Sequence, residues 1–218
     1  MISQLSKLTT QIPDTLLLEE RAGHVLSAII GMADEDFGHI PFFVANLMEK
    51  PPFLTHGDWD YGSSHGRLID ALILARHMSG DGRGGDIEER YRANFLSFFK
   101  DDGLSYRQIN PKAPWETNAN LIDQRAVILA LTSWYMSTGD RKIKHVADKH
   151  VAALKRIAIK EKDVWYYPAS EYTTNGWPST KTTASVGCEV SDSLEALALT
   201  SITARPATSI ASAGITTK

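Results

Sequence analysis

The sequence predicts an all-α protein built as an array of helical hairpins, and three observations carry that expectation. A strongly apolar helical segment occurs three times: Leu68 to Asp81 reads LIDALILARHMSGD, Val127 to Asp140 reads VILALTSWYMSTGD, and Leu194 to Ile202 reads LEALALTSI. A shift of 59 positions carries Ile69, Ala71, Leu72, Gly80 and Asp81 onto Ile128, Ala130, Leu131, Gly139 and Asp140, and a further shift of 66 carries Ala130 and Leu131 onto Ala196 and Leu197. Repeats of about 60 residues that pair an apolar helix with an amphipathic one mark helical-hairpin arrays. Composition agrees, since 218 residues with 43% hydrophobic and 22% charged side chains suffice for a sizeable core and exclude a disordered chain.

The elements follow in order. Asp14 is a good N-cap for a first helix to about Met32, whose stripe is Leu17, Leu18, Val25, Leu26, Ile29 and Ile30. The connection DEDFGHIPFFVANLMEKPPFLTHGDWDYGSSH carries adjacent prolines and repeated Gly and Asp, so it is no single regular element. A second helix, about Gly66 to Met78, is apolar around most of its circumference, as suits a helix buried on several sides. The turn GDGRGGD leads into a third, Ile87 to Phe99, with one charged face. The connection KDDGLSYRQINPKAPWETNAN then enters an apolar fourth helix, Leu121 to Met136, and Gly139-Asp140 turns into a fifth, Lys142 to about Ile159, rich in Lys and His on one face. A last aromatic connection precedes a sixth apolar helix from about Ser191, with Asp192 as a candidate cap. Connections entering the apolar helices are long and chemically rich, while those leaving them are short, so function belongs at the long-loop end.

Several classes are excluded or disfavoured. A net charge of −3 with no long Lys/Arg cluster offers no basic footprint, so no nucleic acid partner is expected. Cys188 is the lone cysteine, which rules out an internal disulfide framework and a cysteine-rich zinc site. His145 and His150 are five apart and share a helical face poorly, so no metal is expected, and no cofactor motif is present. The first residues lack the pattern of a signal peptide and no apolar run approaches a membrane span, which makes a cytoplasmic location with no membrane partner the default.

The period, the apolar inner helices and the segment HGDWDYGSSHGRLIDALILARHMSGD together resemble the α/α toroid of the six-hairpin glycosidases over about residues 14 to 203. That resemblance implies a domain over residues 1–203 with about three of six hairpins, an incomplete barrel, followed by a polar tail over 204–218 that reads as disordered. It also implies a truncated or fragmentary glycoside hydrolase whose exposed apolar helices self-associate. Glycosidases need one protonated carboxyl and one ionised partner, with aromatic platforms for sugar rings. The candidate carboxylates are Asp58, Asp60, Glu116 and Glu189, each shortly before an apolar helix. Asp58 and Asp60 suit a turn equally well, and Asp123 suits a helix cap or charge. The candidate sugar-binding residues are His56, Trp59, Tyr61, His65, Arg67, Tyr106, Arg107, Trp115, Tyr167 and Trp177, and four of the five tryptophans lie in the long connections. Two rivals stand beside hydrolysis. A polysaccharide lyase or sugar epimerase would use Tyr61, His65, Arg67, Tyr106 and Arg107 on a uronate, and a non-catalytic helical module would bind a partner through its apolar flank.

Overall fold

A computed structural model of the chain describes residues 17–57, 60–107 and 118–177, with 60 and 61 described by their backbone alone. Five α-helices lie among them: α1 (Leu18–Gly31), α2 (His65–Ser79), α3 (Gly85–Ser97), α4 (Leu121–Thr138) and α5 (Arg141–Ile157). The two glycines that close the apolar repeats do so by adopting left-handed backbone, Gly80 at φ +63° and Gly139 at φ +68°, and their N–H groups cap Arg76 and Tyr135 carbonyls. A side chain would strain both positions. At the other ends, Asn120 accepts from the Ile122 N–H and starts α4, and Asp140 accepts from the Lys142 N–H and starts α5.

The structure is not the all-α toroid of hairpins that the sequence predicts. The described residues include six three-residue strands in three antiparallel pairs: β1 (Val44–Asn46) with β2 (Phe53–Thr55), β3 (Asn118–Asn120) with β6 (Glu171–Thr173), and β4 (Ile159–Glu161) with β5 (Val164–Tyr166). The physical reason lies in the long connections. Backbone groups in these connections pair with one another, and where they are buried, as in β3, they need such partners: Asn118 faces Thr173, Ala119 faces Tyr172 and Asn120 faces Glu171 of β6.

The core gathers on α4, which buries residues on nearly every side, including Leu121, Val127, Ile128, Leu131 and Trp134. Burying each of these side chains stabilises the fold by about 1.5–3 kcal/mol. α2 lies against α4 so closely that a Cβ on Gly66 would sit 2.5 Å from the Ala126 carbonyl oxygen. Its far side is open, with Leu74 and Met78 exposed, so α2 is less enclosed than its apolar sequence suggests. α1 packs on α2 through Leu26 and Ile29, and the Tyr91 hydroxyl of α3 donates to the Ile29 carbonyl at 3.2 Å. α5 covers α4 with Ile143, Ala153, Leu154 and Ile157. The predicted sixth helix, the tail over 204–218 and Cys188 lie outside the described residues.

Candidate functional site

The most deeply buried carboxylate among the described residues sits at the start of α4, where the long connections arrive. Asp123 is buried in the first helical turn, one oxygen accepting from the Ser63 N–H at 3.1 Å and the other from Arg107 Nε at 2.9 Å. Three local structures create this arrangement. Ser63 is presented by a five-residue π-helical turn, Asp60–Ser64, that runs straight into α2. Such turns accompany functional sites in many folds. Gly62 is needed within it because a Cβ there would collide with the Asp123 side chain. Arg107 is placed by its own N–H, which donates to the Asn118 carbonyl at 3.1 Å beside β3. Gln124 braces the same segment, accepting from the Ser105 N–H at 3.0 Å and donating to the Ser105 carbonyl at 2.7 Å and the Asn120 carbonyl at 3.1 Å.

The electrostatics of this centre are a contest that burial wins. Loss of water raises the Asp123 carboxyl above its ordinary value, the Arg107 guanidinium and the Ser63 N–H pull it back, and the carboxylate of Glu171 pushes it up again. Glu171 is exposed and is brought to this end by its place opposite Asn120 in the β3–β6 pair. Two carboxylates of unlike environment therefore share the long-loop end of α4, one kept from water and one in it.

A second polar pair lies at the end of β2. His56 Nε2 is 3.0 Å from an Asp34 oxygen, and its ring stacks with Phe37 and with Phe42 at centroid distances of 4.5 and 4.7 Å. The bond to His56 holds the Asp34 carboxyl below the usual range, helped by the Asp36 N–H.

The other sequence candidates are scattered. Asp58, Trp59, Trp115, Glu116 and Glu189 lie outside the described residues, and so do the side chains of Asp60 and Tyr61. His65 is sealed beneath the surface among the edges of Tyr91, Phe95 and Phe98, and burial depresses its pKa to about 3. Tyr106 is buried as well; its hydroxyl donates to Asp102 at 2.6 Å and the Lys100 ammonium sits over its ring at 4.3 Å. Tyr167 and Trp177 finish α5, the hydroxyl donating to the Leu154 carbonyl at 3.3 Å and the indole N–H to the Ile157 carbonyl at 2.9 Å. The indole meets a carbonyl that the helix leaves over at its end, while the tyrosine adds a second donor to the Leu154 carbonyl, which already accepts from the Ala158 N–H at 3.1 Å. Arg67 is exposed on the first turn of α2. Of the predicted set, Arg107 alone joins the Asp123 centre among the described side chains, and Asp34, Ser63 and Gln124 are partners that the sequence reading did not single out.

Among the described residues no group of three or more His, Cys, Asp or Glu side chains is arranged to hold a metal ion. An open cleft of about 470 Å³ exists elsewhere, lined by Leu17, Glu20, His24, Ser79 and Asp81 where α1 starts and α2 ends. The 15 residues of α2 separate it from the π-helical turn by about 22 Å, and its Asp81 is occupied by Arg83. The Asp123 centre, with its buried carboxyl, is the better candidate. Comparison of the chain with protein-family models, curated proteins and solved structures gives no match.

Proposed function

We propose that the long-loop end of α4 binds a glycan and hydrolyses a glycosidic bond, with Asp123 as the acid and Glu171 as its ionised partner. The observation that carries this reading is the unlike surroundings of the two carboxyl groups, Asp123 buried and Glu171 exposed, since acid and base roles in such chemistry are divided between carboxyl groups of unlike environment. Asp123 gives its proton to the departing glycosidic oxygen as the carbon–oxygen bond breaks. Glu171 takes a proton from the water that adds to the anomeric carbon, and exchange with solvent restores both groups. Arg107 keeps the newly ionised Asp123 from being a lone buried charge. The reading requires no ring of hairpins; it rests on this junction alone.

The test is a glycan panel incubated with the full chain in ¹⁸O-labelled water. Hydrolysis places the label in the new reducing end, and Asp123→Asn lowers turnover by about 10²–10⁴-fold with the circular dichroism unchanged. An unsaturated, ultraviolet-absorbing product, or an Asp123→Asn protein as active as the parent, contradicts the proposal. A chain inert on every glycan leaves Asp123 as a brace between α4 and the π-helical turn and removes the enzymatic reading.

A further inference from the structure

The outward side of α5 is a charge feature that the chain's net charge of −3 conceals. The helix buries Ile143, His150, Leu154 and Ile157 on one side. The remaining circumference carries Arg141, Lys142, Lys144, Lys149, Lys155 and Arg156 against one acid, Asp148, which Lys144 holds at 2.7 Å. The excess of basic over acidic groups along this one helix is opposite in sign to the protein as a whole. Such a face raises the local concentration of anions and holds them by charge.

The chain passes from α5 directly into the β4–β5 ribbon, where Lys160 faces Trp165 and Glu161 faces Val164. Neighbouring residues on a strand point to opposite sides, so Val164 and Trp165 lie on different faces of the ribbon, yet they are 61% and 53% exposed. A ribbon wetted on both faces stands off the body of the protein. Ile159 at its base is also exposed. The Lys160 ammonium is 5.4 Å from the Trp165 ring centroid, so one face of the indole is already occupied. What the ribbon offers outward is therefore an indole edge and aliphatic side chains, with Lys160 and Lys162 offsetting the exposed Glu161 and Asp163, beside the row of cations on α5.

We propose that α5 and the β4–β5 ribbon form a docking surface for an anionic phospholipid bilayer, with the helix over the headgroups and the ribbon entering the interface. Charge alone would suit any polyanion, but a nucleic acid or an acidic glycan makes use of open aromatic faces and gains little from Val164 and Ile159. A lipid surface rewards both features at once, adding apolar insertion to attraction by basic side chains. None of the groups at the Asp123 centre takes part, so this proposal stands or falls separately from the glycosidic one.

Cosedimentation of the full chain with phosphatidylcholine vesicles, with and without phosphatidylserine, tests it at near-physiological salt. Binding is expected to need phosphatidylserine and to weaken as salt rises. Removing three charges with Lys142→Gln, Lys149→Gln and Lys155→Gln should weaken it about a hundredfold, at about fivefold per side chain. Val164→Ser with Trp165→Ser should weaken it about tenfold and leave its salt dependence in place. Far-ultraviolet circular dichroism of each variant verifies folding. Equal binding to neutral vesicles, unchanged binding by the triple variant, or capture of single-stranded DNA or a sulfated polysaccharide without capture of vesicles overturns the proposal.

Discussion

Acidification should unfold this protein through His65, and the size of the effect follows from where that ring lies. His65 is fully buried among three aromatic rings, and neither ring nitrogen has a hydrogen-bond partner among the described residues. The Tyr91 backbone favours the charged form, but from outside hydrogen-bonding geometry, and burial outweighs it to leave the pKa at about 3 against an ordinary 6.5. Between those values the unfolded chain binds a proton that the folded chain does not. The contribution is thus present in full above pH 6.5 and is lost as pH falls toward 3. At about 1.4 kcal/mol per unit the whole span amounts to about 5 kcal/mol, and the part lost by pH 5 to about 2 kcal/mol. His150, buried and likewise depressed, adds to the loss in the same direction. Urea unfolding followed by circular dichroism at pH 7.5 and pH 5 measures the effect while most carboxyl groups stay ionised. His65→Phe keeps a ring among Tyr91, Phe95 and Phe98 but cannot take up a proton, so it should lose about 2 kcal/mol less than the parent over that interval. Equal losses in the two proteins would refute the reasoning.

Two packing predictions are sharper still. Gly66→Ala drives a methyl group against the Ala126 carbonyl at 2.5 Å, where backbone rather than a mobile side chain must yield, so thermal or urea unfolding should show a loss of about 1–3 kcal/mol. Gln124→Leu leaves the buried Ser105 N–H without its acceptor and the carbonyls of Ser105 and Asn120 without the amide donor. A loss of about 2–4 kcal/mol is expected, together with faster hydrogen exchange at the Ser105 N–H; unchanged exchange there would count against the bracing role.

The helices were legible because their signals are local. The apolar spacing of α4, the cap at Asn120 and the left-handed glycines at 80 and 139 all act within a turn or two of the chain. The strands were not legible, since three residues are too few for alternation to register and β3 finds β6 some 50 residues onward. The same distinction governs the candidate site. Asp123 is visible in sequence as a first-turn acid, but its meeting with Arg107 depends on how the 105–107 segment lies against β3. Tyr167 and Trp177 belong to an aromatic connection that invites a sugar-binding reading, yet their polar tips are consumed by α5 carbonyls. The basic side of α5 is legible in sequence as a Lys- and His-rich helical face, while acids elsewhere in the chain leave the net charge at −3.

Asp123 should retain its proton to higher pH than an ordinary aspartic acid, and carboxyl ¹³C NMR tests this without a substrate. Spectra of the labelled chain recorded across acid pH, with Asp123→Asn identifying the resonance, give the midpoint of this one group. The midpoint is expected above the ordinary 3.8, because burial outweighs Arg107 and the Ser63 N–H. A midpoint at or below 3.8 would show that the ion pair dominates, and Asp123 would then be a structural anion unable to serve as the acid.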